Sequence, residues 1–464
     1  MKLKRELTFF DMTNIVIGSI VGSDIYIIAA ITAGLIGPFS IVVWVAAAIV
    51  STILALVFAY SSYYVPKVGG SFAFVSTAFD KFYGFLAGWS LWIAEIISLP
   101  VAAIIFTNYL QHFLPMDFLQ QILVKAIFLF GLTFVNIIGV KVAGKVNDVL
   151  TLVKLSPLLL LIVTGLLTFA YNPSLLSNYL PFAPLGLQNF GAALVLIFWA
   201  YAGFELGPLP ASEVKNPKKT IPKAIITGMA IVTFFYVAIN FVAYGTVNWH
   251  ELSQTSVPLV LVGTVLMGSI GALIMTFGAL ASVSGVDESE ILGTSRLSYA
   301  MSIDGLFPKI FSKLHPKYKT PYLSLIIQGI IAFAFSIFSG VSGLISFSVF
   351  NLAFSFLLTC FALIILTKGR EKELHGQKIL PWIGVVICLY LLYSTSLFAK
   401  IAGGLLILIG IPFYVFFSPK VEIKDMKKMF VSEEAIFERK LERKEKFLAN
   451  FVRLLHKLFK TLRE

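Results

Sequence analysis

Charge is what this chain has least of. Among its 464 residues only 13% are Asp, Glu, Lys or Arg, while 58% are hydrophobic and the mean hydropathy is +0.90. Water-soluble domains carry about 25% charged residues, so an ordinary soluble domain is excluded. Cysteine is nearly missing as well. Cys360 and Cys388 stand alone in apolar runs with no CxxC spacing, which excludes a disulfide framework and leaves two small core residues. The five histidines include no pair with metal-ligand spacing, so no metal is expected. There is no Walker-type phosphate loop and no GxSxG or HExxH. ATP-driven work and hydrolysis therefore have no support, and no cofactor is implied.

What the chain has in abundance is long apolar runs. A membrane-crossing helix needs roughly 20 such residues, and twelve runs qualify: Phe9–Ala33, Ile41–Tyr64, Gly84–Leu114, Leu119–Ile138, Leu150–Phe169, Gly191–Pro210, Ala224–Tyr244, Gly271–Ala300, Leu323–Phe338, Ile345–Thr367, Leu380–Phe398 and Ile401–Phe417. The chain reads as an all-α, multi-pass integral membrane protein. The first run follows Lys2, Lys4 and Arg5, but it is longer than a signal-peptide core and lacks a small-residue cleavage site, so it reads as a retained span. The short apolar stretch Val257–Met267 reads as an external helix ahead of span eight.

The net charge of +12 reports topology and not nucleic acid. With the N-terminus inside, all but four of the 36 Lys and Arg residues fall on the inner side; Lys125 and Lys400 are outside, and Lys154 and Arg296 lie within spans. Positive charge marks the cytoplasmic side, so both termini are expected there. Residues 418–464 form a basic tail whose apolar stripe (Phe437, Leu441, Leu448, Phe451, Leu455, Leu458, Leu462) fits a helix lying on an anionic leaflet or packed on the protein's own inner loops.

Irregular backbone is tolerated at membrane depth only where protein buries it or a cavity adjoins it. Two spans therefore stand out. Span one contains GSIVGSDIY (Gly18–Tyr26), with Asp24 near its middle, and span six contains FWAYAGFELGP (Phe198–Pro208), with Gly203, Glu205, Gly207, Pro208 and then Pro210. Each has a carboxylate two residues after a glycine, and the two spans are five apart in order. Matching breaks in two halves of a chain point to an inverted-repeat transporter with a site at the midplane. The opened backbone would offer amides to an anionic group and carbonyls to a cation.

Ionisable residues within spans mark function by default. Besides Asp24 and Glu205 these are Glu95, Lys154, Asp287, Glu288 and Glu290. In VDESE (Val286–Glu290), Asp287 and Glu290 share a helix face while Glu288 points elsewhere, since neighbours are about 100° apart. A buried lysine beside buried acids forms either a proton-coupling switch or a structural ion pair. Glu95 reads equally as a hydrogen bond to a neighbouring span and as a substrate contact.

Six motifs in order carry a resemblance: GSIVGSDIY; PKVGGSFAF from Pro66; NIIGVKVAGKVN from Asn136; FWAYAGFE from Phe198; EVKNPKKTIPKAI from Glu213; and SRLSYAMSIDGLFP from Ser295. Up to Phe417 the chain resembles the amino acid/polyamine/organocation superfamily of secondary transporters, as an amino acid permease. The resemblance implies a five-plus-five inverted repeat with helices 1 and 6 broken, the first repeat over residues 1–170, the second over 185–370, and two further spans over 379–417. It implies substrate held at Val21, Gly22, Ser23 and Asp24, with Gly203 and Glu205 of the second break beside it and Tyr201 or Phe204 covering it. Lys154 would occupy the place of a sodium ion, favouring proton coupling; by register Ser289 and Glu290 of span eight would approach the same place, and Asp287, on the face of Glu290, joins the proton-coupling group.

The chain departs from the superfamily at one position, where GSG or GAS becomes Gly22-Ser23-Asp24. An ionised Asp24 would repel a substrate carboxylate. Either Asp24 pairs with Lys154 or stays protonated, leaving an amino-acid site, or the site is acidic by design, with Glu205 and Asp287, and takes a polyamine or basic amino acid. The expected function is proton-coupled import of amino acids across the plasma membrane by alternating access. The alternatives are a polyamine or cationic permease and a transporter-like nutrient sensor; a membrane enzyme with VDESE as a metal site is an outsider, lacking imidazole. The expected partners are substrate, protons and lipid, with no nucleic acid, and nothing in the chain sets an oligomeric state.

Overall fold

The computed structural model describes residues 7–67, 69–138, 143–206, 214–370 and 374–417, with the side chains of 143–152 left out. The basic tail, Gly207, Pro208 and Pro210 lie outside the described residues. Among the described residues the architecture is all helix. The one extended pairing is an isolated parallel bridge between Leu7 and Val214.

Fifteen α-helices follow in order: α1 Phe9–Ile20, α2 Ile28–Ile36, α3 Ser40–Tyr64, α4 Ser71–Ala78, α5 Lys81–Gln111, α6 Phe118–Ile138, α7 Ala143–Tyr171, α8 Phe190–Ala200, α9 Pro217–Thr246, α10 Trp249–Gln254, α11 Pro258–Ile303, α12 Tyr322–Phe338, α13 Val341–Leu366, α14 Leu380–Ser394 and α15 Leu397–Phe417. Among the described residues eight stretches are long and apolar enough to cross a membrane, and four shorter apolar helices (α1, α8, α12, α14) accompany them. Two of the four, α1 and α8, are short because each stops at a glycine-acid break. The Pro258–Met267 stretch is helical and is set off from the rest of α11 at Gly268, whose φ of 64° and ψ of −152° interrupt the helix.

The chain starts α1 with a reciprocal cap. Thr8 accepts from the Asp11 amide at 3.4 Å and the Asp11 carboxylate accepts from the Thr8 amide at 2.7 Å, satisfying donors that a helix start otherwise leaves open. At the centre of the bundle, α5 is buried along most of its length, from Gly84 to Tyr109, between α11 and α13. Outward faces are apolar too. Leu119 on α6, Phe277 on α11, Phe338 on α12 and Phe398 on α15 are each more than two-thirds exposed. Large apolar side chains left outside on so many helices make sense only where lipid is the solvent. This is a multi-pass membrane protein.

Candidate substrate site

In the first break the hydrogen-bond ladder of α1 ends when Val21 turns to φ −72°, ψ 101°, its amide still bonded to Ile17. A short 3-10 turn, Asp24–Tyr26, follows before α2. Backbone groups released at membrane depth need partners, and three neighbouring helices supply them. Lys154 of α7 donates to the Gly18 carbonyl at 3.3 Å. Ser282 of α11 donates to the Val21 and Gly22 carbonyls, each at 3.4 Å. Tyr236 of α9 reaches the Ile20 carbonyl at 3.2 Å and also donates to Asp24 Oδ2.

The released amide is taken from within. Gly22 N–H donates to Asp24 Oδ1 at 2.9 Å, and the amides of Asp24 and Ile25 also lie within reach of that carboxyl. The second break repeats the arrangement. After α8 the chain turns through residues 201–206, and Gly203 N–H donates to Glu205 Oε2 at 2.9 Å. Thus each break is capped by a carboxylate two residues after its glycine. Gly203 has φ +110°, and a Cβ there would meet the Ser19 carbonyl oxygen at 2.1 Å; no other residue fits, because both the dihedral and the contact exclude a side chain.

A cavity of about 30 Å³ lies where the two breaks meet, room for a water molecule or two. Four carboxylates line it: Asp24, Glu95, Glu205 and Glu290. Among its lining residues there is no Lys or Arg; Ser19, Ser23, Ser98, Ser348 and Trp199 complete the polar and aromatic wall. Ser98 donates to Glu290 Oε2 at 2.8 Å. Glu95 faces the Glu205 carboxyl, and its buried Oε1 meets no donor among the described residues. A second, smaller cavity is lined by Gly69, Leu206, Gly293 and Thr294, and again by Glu95 and Glu205. These two carboxyls therefore stand between the cavities.

The family model for amino acid permeases matches residues 7–429. The chain belongs to the amino acid permease family. It is 26% identical over 441 residues to the branched-chain amino acid permease BcaP of Bacillus subtilis (strain 168), covering 90% of this chain and 94% of that one. It is 28% identical over 444 residues to the methylthioribose transporter of the same organism, with 90% and 94% covered. The serine/threonine exchanger SteT of that organism is 27% identical over 430 residues, with 88% and 95% covered. The resemblance drawn from the six motifs holds, and the permease family and these relatives are transporters, not enzymes.

Within this permease the residues singled out from sequence fall into two groups. Gly22, Ser23, Asp24, Gly203, Glu205 and Glu290 line the cavity. Val21 is buried beside it at the end of α1. Tyr201 and Phe204 are buried away from the wall: Tyr201 packs edge-on against Trp44 and against Tyr236, and Phe204 against Phe58 and Phe356. The aromatic on the wall is Trp199. Lys154 is 2% exposed and, among the described residues, bonds a carbonyl and not a carboxylate, while Asp24, Glu288 and Glu290 are near enough to act on it through space. Asp287 is 1% exposed, and its Oδ2 has no hydrogen-bond partner among the described residues. Ser98, Trp199 and Tyr236 escaped the sequence reading. Ser98 could have been found, three residues after Glu95 on the same helix face.

Proposed function

We propose that this permease is a secondary active transporter that imports amino acids and related amines across the plasma membrane by alternating access, coupled to protons. The cavity at the junction of the two broken helices carries the reading: broken segments at midplane depth are how such transporters build a site. At about 30 Å³ the cavity is far smaller than the roughly 300 Å³ at which small-molecule pockets begin. The helices around it must part for cargo to enter, which is what alternating access requires. The matched caps at Gly22 and Gly203 support two repeats of opposite orientation. The bias of Lys and Arg toward one side supports cytoplasmic termini.

Lys154 supports proton coupling. It is a buried cation anchored on the Gly18 carbonyl of the first break, so a change in its charge acts directly on the segment that must move. The relatives' names span branched-chain amino acids, serine and threonine, and methylthioribose, so kinship alone leaves the cargo open. The four carboxylates of the wall favour cargo bearing an ammonium group. Purified protein in proteoliposomes tests the reading. Labelled amino acids or amines should accumulate when an inward proton gradient is imposed; equal uptake with and without the gradient would overturn the coupling, and no saturable uptake or binding of any of them would overturn the transport reading.

A further inference from the structure

Transporters with broken helices offer the free backbone amides of the break to an anionic group of the substrate. In this chain that place is taken by the protein's own carboxylate. Asp24 Oδ1 accepts from Gly22 N–H at 2.9 Å, with the amides of Asp24 and Ile25 within reach, and Oδ2 accepts from Tyr236. Asp24 is 4% exposed and still lines the cavity. Both of its oxygens are engaged, and Lys154, which Asp24 reaches through space, is tied to the Gly18 carbonyl. A second carboxylate brought to the same amides would find its donors occupied and a like charge beside it.

The rest of the wall offers the opposite chemistry. Glu95, Glu205 and Glu290 line the same cavity with no Lys or Arg among the lining residues, and Glu95 Oε1 is buried with no donor among the described residues. An unsatisfied buried acceptor facing other carboxyls is a place for an ammonium group, whose three N–H donors fit several carboxylates at once. Ser19, Ser98 and Ser348 add hydroxyl oxygens around it.

We propose that the Asp24 carboxylate stands in for the substrate's carboxylate, so that the site selects small organic amines lacking a carboxylate, diamines above all, over the amino acids that share their side chains. This rests on the transport reading and names its cargo. One ammonium group sits among Glu95, Glu205 and Glu290, and a second is drawn to the Asp24 side of the cavity.

Pairs of compounds that differ only by the carboxylate test it: putrescine against ornithine, cadaverine against lysine, and agmatine against arginine. Affinities are measured by scintillation proximity or calorimetry on the purified full chain, and uptake is followed in proteoliposomes. In wild type each amine should bind at least about tenfold more tightly than its amino acid, a gap of roughly 1.4 kcal/mol. Asp24→Gly frees the Gly22 amide and should narrow or reverse that ratio, with the amino acids gaining. Asp24→Asn keeps the shape and removes the charge, and serves as the control should the glycine variant fail to fold; its ratio should fall as well. Wild type that binds amino acid and amine of each pair equally, or a ratio unchanged in both variants, overturns the stand-in role while leaving transport intact. If no compound of either class binds or is taken up, it is the transport reading that fails, and the inference with it.

Discussion

Gly203 lies against Ser19 so closely that a methyl group on it would stand 2.1 Å from the Ser19 carbonyl oxygen. Through this contact the second break touches the first, and the cavity opens beside it, lined by both residues. The two irregular segments thus form one unit, and a shift in either is felt by the other because packed interiors do not deform smoothly.

Gly203→Ala should therefore disable the protein by forcing the two breaks apart. The positive φ costs on the order of 1–3 kcal/mol for a non-glycine residue, and the clash with a carbonyl adds to it. Uptake should fall at least about tenfold and the melting temperature in detergent should drop. Gly343→Ala, where a Cβ meets nothing within 4 Å, should leave both unchanged. Wild-type uptake by Gly203→Ala would mean that the breaks do not move as a unit.

Lys154 owes its room to a glycine on the facing helix. A Cβ on Gly285 would meet Lys154 Cε at 2.7 Å and Nζ at 3.0 Å. Lys154→Ala should give uptake that no longer responds to an imposed proton gradient across a pH series, while exchange at equal pH survives. Gly285→Ala should weaken the pH response in the same direction by pushing the ammonium off the Gly18 carbonyl. Uptake that follows pH as in wild type in both variants would remove Lys154 from the coupling.

The Glu95 and Glu205 carboxyls face each other in a buried place, where two ionised carboxylates would repel each other. Glu95→Gln should stabilise the protein against heat, since an amide can donate to Glu205, and should weaken amine binding at least about tenfold through loss of one acceptor charge. Thermal melts and amine titrations of the same preparation check both. A variant that is less stable and binds amines as wild type does would contradict the placement of an ammonium group there.

Tyr236 holds the other side of Asp24. Tyr236→Phe leaves Asp24 Oδ2 buried without its donor, at a cost of about 1–3 kcal/mol. The melting temperature should fall, and the preference for amines over amino acids should weaken as Asp24 loosens from the break. A silent substitution would show that Asp24 is held by the backbone amides of the break alone.

The breaks themselves were legible because packing can explain glycines in an apolar run but not the carboxylates Asp24 and Glu205 two residues after Gly22 and Gly203. The folding back of each acid onto its own glycine was not, since a bond across two residues exists only at the dihedrals the break adopts. The same loss of helical period explains the aromatics. With α8 ending at Ala200, a register counted at 3.6 residues per turn no longer says which of Trp199, Tyr201 and Phe204 faces the cavity, and it is Trp199 that does so. Lys154 was visible as a buried charge, yet its partner is the Gly18 carbonyl, a group that every residue carries and no pattern singles out. The apolar runs marked the helices well because burial in lipid leaves few other choices. The kink at Gly268 depends on one dihedral.

If cargo binds in the cavity between the two breaks and that cavity opens to one side at a time, a thiol placed on its wall must report both. The most direct measurement is thiol labelling of Ser98→Cys, with Cys360 and Cys388 replaced by Ala, in oriented proteoliposomes using a membrane-impermeant reagent applied from either side. Labelling should proceed from both sides, a transported amine should slow it from each, and an imposed proton gradient should shift the balance between sides. Labelling that transported solutes leave unchanged would place the cargo site elsewhere in the fold.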